Sequence, residues 1–375
     1  MRKIRLIALL TVCSVSLFAY IKNPDKPLKG NWDFQIQKIW DVENAGQDVI
    51  GEVHNIAVSA DERTYIEDSK NFKIYIFSKE GKFISSFGNK GAGPGEILKY
   101  GDGKQLFIVK GTVLFSDVNK IHYFSLEGKY NKTVSLPAGL KPDEFVSEDV
   151  FFSVPYTLND PDKKEAKIIL YNIKEGSQKV ISKFFPFENA SKSKRIGTRQ
   201  RMTVVIEAPN LIPRMMLAFR NSKVIYGMSD SYRINVLDLK GKENISFGVE
   251  GRKLADFPED LKKELPKMLA SVPPDMVKQI IDSLPEKITF FQHISVDRNG
   301  LIYVFVSAPE ETNIQTLDIF SPGGKYLYTS KLKIAEGLSI KPDFIYFKDD
   351  ILILVAEDNE GTPKVIKYSL KLPVL

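Results

Sequence analysis

The 375-residue chain is 43% hydrophobic and 27% charged, the composition of a folded globular protein rather than a disordered or fibrous one. Its formal charge of +6 drops to 50 cations against 47 acids once Arg2, Lys3 and Arg5 are set aside, too weak a balance to argue for nucleic acid. A single cysteine, Cys13, excludes an intrachain disulfide framework.

The N-terminus reads as an export signal. Arg2, Lys3 and Arg5 lead into an apolar run from Leu6 to Ala19, too short for an ordinary membrane span. Residues 1–19 are expected to leave by cleavage after Ala19, although Leu17 is large for the third residue before the cut. Retention as an anchor, or lipidation at Cys13 in Leu10-Thr-Val-Cys13, are the alternatives. The expected location is the periplasm, the cell surface or the medium. Membrane contact is expected only through this segment, where it is uncut.

Asp33-Phe-Gln-Ile-Gln-Lys-Ile-Trp-Asp41 alternates apolar and polar residues, as a strand does, and has no partner nearby in sequence. Ile56-Ala-Val58, Tyr65-Ile66, Lys73 to Ser78 and Lys82 to Phe87 then give four short β-runs, the first two divided by the polar turn Asp61-Glu-Arg63. Four strands in about 40–50 residues are the sequence form of a propeller blade.

A turn phrase then recurs. It reads Phe77-Ser-Lys-Glu-Gly-Lys82, Phe124-Ser-Leu-Glu-Gly-Lys129, Leu237-Asp-Leu-Lys-Gly-Lys242 and Phe320-Ser-Pro-Gly-Gly-Lys325. Its glycines are Gly81, Gly128, Gly241 and Gly324. Gly81 and Gly128 are 47 residues apart; the same step reaches Glu175, beside Gly176, and from Gly324 it reaches Lys371. Ile74, Gly81, Phe87-Gly88 and Gly91 all recur 160 residues later, at Ile234, Gly241, Phe247-Gly248 and Gly251. A fixed period of strand–turn units predicts a radial array, here of six blades over residues 33–375. The sixth copy ends at its third strand, so the strand near Asp33–Asp41 is expected to complete it and close the ring.

Two insertions interrupt the period. One, from Glu188 to about Pro213, carries Lys192, Lys194, Arg195, Arg199 and Arg201 with no acid among them, a charge run suited to an anionic partner or to solvent. The other, about 254–287, repeats apolar residues at three and four: Phe257, Leu261, Leu265, Met268 and Leu269, then Met276, Val277, Ile280, Ile281 and Leu284 after Pro273-Pro274. This predicts two amphipathic helices joined at a proline turn, packed on the ring or capping one mouth.

The stretch Asp68-Ser-Lys-Asn-Phe-Lys-Ile-Tyr-Ile-Phe-Ser-Lys-Glu-Gly81 resembles the NHL repeat. Its basic position is Lys73, Lys120, Arg233 and Lys364, and the preceding acid is Asp68, Asp117, Asp230 and Asp358; Asn71 and Asn119 match in two copies only. Ser86-Phe-Gly-Asn-Lys-Gly-Ala-Gly-Pro-Gly-Glu96 resembles a phrase of secreted bacterial six-bladed propellers of NHL type. The resemblance implies an all-β ring without one fixed activity, its members being mostly binding or scaffolding modules, with lactone hydrolases and amidating lyases among related propellers. The repeated acids and bases are expected to be structural, pairing within a blade or with the next.

Candidate chemistry is sparse. His54 and His293 precede first-strand runs and so could reach one mouth of the central channel, whereas His122 belongs to a third strand away from the axis. A metal site would need further ligands such as Glu52, Glu96 or Asp297, and none is expected. The Gly-rich stretch lacks the helix and Lys-Ser/Thr ending of a phosphate loop, and there is no Gly-x-Ser-x-Gly. No cofactor and no catalytic residue are assigned. The expectation is an exported, non-catalytic binding or scaffold protein for a protein, peptide or glycan, with His54, His293, Arg195, Arg199 and Arg201 as candidate binding residues and no nucleic acid. The alternative is a metal-dependent hydrolase or lyase with its site in the channel.

Overall fold

In the computed structural model, which describes residues 19–98, 104–155, 166–184, 213–239, 244–270, 272–284, 286–307 and 313–373, the chain forms six sheets around one axis. Two strands precede the first blade, β1 (Ala19–Asn23) and β2 (Ile36–Val42), and a small hairpin follows, β3 (Asn44–Ala45) and β4 (Asp48–Val49). Blade 1 is β5 (Val53–Val58), β6 (Thr64–Asp68), β7 (Lys73–Phe77) and β8 (Phe83–Phe87). Blade 2 is β9 (Leu106–Val109), β10 (Thr112–Asp117), β11 (Lys120–Ser125) and β12 (Tyr130–Ser135). Blade 3 is β13 (Glu144–Ser147), β14 (Val150–Ser153), β15 (Ala166–Asn172) and β16 (Ser177–Phe184). Blade 4 is β17 (Met215–Arg220), β18 (Lys223–Met228), β19 (Ile234–Asp238) and β20 (Asn244–Val249). Helices α1 (Glu259–Met268) and α2 (Pro274–Ser283) come next. Blade 5 is β21 (Phe291–Val296), β22 (Ile302–Val306), β23 (Ile314–Phe320) and β24 (Tyr326–Lys333), and blade 6 holds β25 (Ser339–Lys348), β26 (Ile351–Glu357) and β27 (Pro363–Leu370).

The ring closes as expected. β2 pairs antiparallel with β27, from Ile36 opposite Leu370 to Val42 opposite Val365, and so becomes the fourth strand of blade 6. The innermost strands β5, β9, β13, β17, β21 and β25 each contact the next around the axis, with β25 meeting β5.

Alternation within a strand builds the core between blades. Tyr65, Ile74 and Ile76 of blade 1 pack with Leu106, Val113 and Phe115 of blade 2. Their neighbours in sequence, Ile66, Tyr75 and Phe77, pack on the other side with Trp40, Ile353, Val355 and Val365 of blade 6. Side chains of period two leave both faces of a strand apolar, which is why these strands read as nearly continuous hydrophobic runs.

The repeated turn glycine has a specific packing role. Gly128 has φ +81°, and its Cα is covered by the Phe87 ring from the outer strand of blade 1, so that a Cβ would enter the ring. Gly324 (φ +78°) is covered in the same way by Phe247 of blade 4, and Gly81 (φ +80°) by Trp40, where a Cβ would stand 2.5 Å from the indole. Each outer strand thus seats an aromatic on the turn of the following blade. Trp40 lies one 47-residue step before Phe87, so β2 carries the blade period as well as the missing strand. Gly176 has nothing within 4 Å, the position one step on from Phe87 being Val134. Gly241 lies outside the described residues.

Residues 19–32, ahead of the expected start at residue 33, also pack on the ring. β1 adds in parallel to the outer edge of β20, making blade 4 five-stranded. Buried Asn23 donates to the carbonyls of Gly248 and Gly324 and accepts from the Tyr326 amide, joining blades 4 and 5. Leu28, Lys29 and Trp32 then donate backbone hydrogen bonds to Tyr326, Leu327 and Thr329 of β24. The segment is a strap over the outer edges of blades 4 and 5 on its way to blade 6.

Candidate functional site

The two sides of the ring are built differently. Turns joining first to second and third to fourth strands lie on one side and are short, as at 59–63, 110–111, 221–222 and 349–350. The connections between blades lie on the opposite side. They run from 88 to 105, 136 to 143, 185 to 214 and 250 to 290. The second insertion therefore belongs to the side that also receives the N-terminal ends of all six inner strands. Residues 185–212 lie outside the described residues, and with them the candidates Arg195, Arg199 and Arg201.

The second insertion forms the two expected helices, α1 and α2, on a narrow neck. The Phe257 amide donates to the Glu286 carbonyl at 2.9 Å and the Ile288 amide to Ala255 at 3.0 Å. Val272, Val277 and Ile280 form a small cluster with Leu269, Met276 and Ile281, drawn from the proline turn and the apolar stripe of α2. The stem is fixed by charge: Arg252 meets buried Asp318 of blade 5 at 2.6 Å, and Tyr232 and Tyr326 donate their hydroxyls to the same carboxylate.

At the axis, on the side of the long connections, Lys104 precedes β9 and meets Glu144, the first residue of β13, at 2.9 Å. His293 of β21 stands in the electrostatic reach of Lys104. Blades 2 and 5 are opposite in a six-membered ring, so the Lys104 charge acts on His293 across the axis. Burial, with the Lys104 ammonium adding to it, holds the His293 imidazole down at about 4, and it is uncharged at neutral pH. Tyr346 of β25 has its hydroxyl pushed up by burial first, then by the Glu144 and Asp349 carboxylates, with Arg220 opposing. The Lys104–Glu144 pair thus joins blades 2 and 3 at the axis, and its charges are felt by His293 of blade 5 and Tyr346 of blade 6.

At the other end of the axis an ion pair links two blades. Arg220 of blade 4 reaches Asp349 of blade 6 through both terminal nitrogens, at 3.0 and 3.1 Å, and donates to the Val296 carbonyl of blade 5 between them.

His54 and His293 are not equivalent. β5 carries its irregularity between Val53 and Asn55, so that Asn55 pairs with Glu67 where His293 pairs with Phe305. One residue of register separates them, and successive strand residues face opposite ways. Glu67 beside Asn55 is fully buried, and neither carboxyl oxygen has a hydrogen-bond partner among the described residues. Burial raises it well above the usual carboxylate range, against the Lys141 charge and the Asn55 amide. Among the described residues no group of three or more His, Cys, Asp or Glu could hold a metal ion. His122 accepts or donates a hydrogen bond with Thr133 at 2.8 Å, in the third strand of blade 2.

The repeated acids and bases hold different partners from those expected. Asp68 pins the entry to its own inner strand, accepting from the amides of Gly51, Glu52, Lys70 and Asn71. Asp117 accepts from the Leu98 amide ahead of blade 2. Lys73 meets Asp48 at 2.5 Å and keeps that carboxyl below its usual range. Arg233 donates to the Ser246 hydroxyl at 2.8 Å, Lys120 is exposed, and Asp230 stands in the matching loop of blade 4. Lys364 comes near its own blade's acid, Asp358, at 4.0 Å, and Glu43 holds it more closely at 2.7 Å. These loops need buried amide partners more than they need an exposed ion pair, which contributes about 0–1 kcal/mol.

Lys104, Glu144, Tyr346 and Arg220 were not singled out in the sequence. Each stands at or near an end of an inner strand, so aligned blades would have drawn attention to them. Which of them meet across the axis depends on ring closure.

The family described as "6-bladed beta-propeller" matches residues 44–245. No curated protein matches the chain in sequence. Among solved structures, a member of the DUF4221 family from Bacteroides vulgatus superposes with a TM-score of 0.56 at 11% identity, covering 91% of this chain and 99% of that one. A Bacteroides fragilis protein described as exported superposes at 0.52 and 12% identity, covering 95% and 99%. A virginiamycin B lyase from Staphylococcus aureus is more distant, at 0.43 and 14%, covering 90% and 100%. At these identities the likeness is one of fold.

Proposed function

Since the chain belongs to the 6-bladed beta-propeller family, a fold that fixes a scaffold and leaves the chemistry to its loops, we propose that it is an exported, non-catalytic binding or scaffold protein with a repeat of NHL type. It engages a peptide, a glycan or another envelope protein through the side that carries the long connections. The observation behind this reading is the asymmetry of the two mouths. One carries the short turns and the Arg220–Asp349 pair, while the other carries the second insertion with Lys104, Glu144 and His293. Function on a rigid scaffold concentrates in such connections. Mixed charges around a neutral imidazole suit recognition of a polar or zwitterionic group. The Lys104 ammonium disfavours a divalent cation there.

The test is a screen of the purified chain against peptide and glycan arrays, repeated with Lys104→Ala, Glu144→Ala and Lys174→Ala. Lys174 stands on the short-turn side and is exposed. Binding should fall for the first two variants and stay for the third. Equal loss in all three, or turnover of the bound ligand, would count against the proposal.

A further inference from the structure

We infer that the seam between blades 5 and 6, on the side of the short turns, is a second binding site, one that takes a carboxylate carried on an aliphatic group. The site follows from the way the ring closes. In blade 2 the turn between the third and fourth strands leans back on blade 1, where the Tyr65 hydroxyl donates to the Leu126 carbonyl at 2.8 Å and Arg63 meets Glu127 at 3.4 Å. Blade 6 has no such turn, because its fourth strand is β2, which comes from the other end of the chain. Tyr303 of blade 5 holds the place of Tyr65, one residue past the pair that closes its hairpin. Its hydroxyl turns instead to Asp297 of its own blade, at 2.9 Å. Where that turn would lie there is a cavity of about 450 Å³, lined by Arg298 and Asn299 of blade 5 and by Asp350, Leu370, Lys371, Leu372 and Pro373 of blade 6 and its continuation. That size suits a small-molecule site.

The lining has two parts. Leu370 and Pro373 are buried, and Leu372 is half-buried against the core shared by blades 5 and 6, so the floor is apolar. Arg298, Asn299, Asp350 and Lys371 are exposed around it. Among these, cations outnumber acids. Asp349, next to Asp350, is already taken by the Arg220 guanidinium and the Arg298 amide. The Arg298 guanidinium is left with Asp350 at 3.6 Å, both side chains being more than half exposed. The Lys371 ammonium has no ion pair or hydrogen bond among the described residues. One positive charge in excess over an apolar floor selects an anion with an aliphatic body, and a planar guanidinium favours a carboxylate, which it can hold through paired hydrogen bonds. The turn that presents Arg298 and Asn299 is set in advance. Fully buried Asp297 accepts from the Asn299 and Leu301 amides, both at 2.9 Å. A site already formed loses little to ordering when it binds.

A free aliphatic acid and the C-terminus of a peptide both carry this chemistry, and calorimetry on the purified full chain separates them. The probes are hexanoate, hexanamide, an acetylated tetrapeptide ending in leucine with a free carboxylate, and the same peptide as its amide. At least one of the two acids should bind, and its amide about ten-fold more weakly or worse. Uptake of hexanoate assigns the site to a small acid; uptake of the peptide acid alone assigns it to a chain end. Arg298→Gln should weaken binding about ten-fold or more and Lys371→Gln several-fold, whereas Asp350→Asn, which removes the competing carboxylate, should tighten it. Lys174→Ala, at an exposed lysine of blade 3, should change nothing. All four variants should keep the parent's melting temperature, since each alters an exposed side chain. No binding of either acid, equal binding of acid and amide, or binding that survives Arg298→Gln combined with Lys371→Gln overturns the inference. None of these variants touches Lys104 or Glu144, so the binding proposal for the other side stands or falls separately.

Discussion

Gly128 and Gly176 occupy the same place in the repeat and carry different loads. Both have positive φ, which costs an L-residue about 1–2 kcal/mol. Only Gly128 also lies under an aromatic ring from the preceding blade. Gly128→Ala should therefore cost about 3 kcal/mol or more and Gly176→Ala about 1 kcal/mol, read from denaturant midpoints. Equal losses would show that the interblade contact adds nothing. Titration separates half-buried His293 from fully buried Glu67. His293 is held near 4, below its ordinary 6.5, so between those values the unfolded chain binds a proton that the folded one refuses. Its contribution is complete above pH 6.5 and is lost as the pH falls towards 4, on the order of 3 kcal/mol in all. His293→Gln should flatten that limb of the stability profile. Glu67 works with the opposite sign. It is raised above its ordinary 4.5, so the folded chain keeps a proton that the unfolded one releases, and stability falls as the pH rises above 4.5. Thermal melts of Glu67→Gln should thus gain on the parent between pH 4.5 and 7; a constant difference would contradict the assignment.

At the scale of elements, the strands and the insertion depend on the ring to different degrees. β2 is indispensable, because it pairs along the whole of β27 and delivers Trp40 to Gly81. Removing residues 1–45 should abolish the cooperative melt, and Trp40→Ala alone should cost about 3–5 kcal/mol. An unchanged melting temperature after the truncation would refute closure by β2. The helical insertion is the converse case. Its apolar residues close on each other, and its neck is a two-pair ladder from Ala255 to Phe257 against Glu286 to Ile288. Replacing residues 258–285 by a short glycine-rich link should move the melting temperature by only a few degrees. The helical periodicity of 254–287 was visible in the sequence, as were β2 and the turn phrase. The strap was not, because Ala19–Asn23 sits at the end of an apolar run that reads as an export signal, and its parallel partner β20 lies more than 220 residues away.

For the whole molecule, composition, the 47-residue step and the constant offset of 160 were enough to determine an all-β ring of six blades and its closing strand. They are local and periodic signals, and a repeat in which every unit meets only its neighbours is written locally. The aromatic-on-glycine contact keeps the same period, since Trp40 and Phe87, like Gly81 and Gly128, stand 47 residues apart. The tertiary structure alone decided which polar residues meet. Lys104, Glu144, His293 and Tyr346 come from four blades and up to 242 positions apart, and Arg220 joins Asp349 over an intervening blade. A one-residue register difference sent His54 away from the place that His293 takes. Such contacts carry no sequence period. They follow from the curvature that bends six similar sheets around one axis, where distance along the chain no longer measures distance in space.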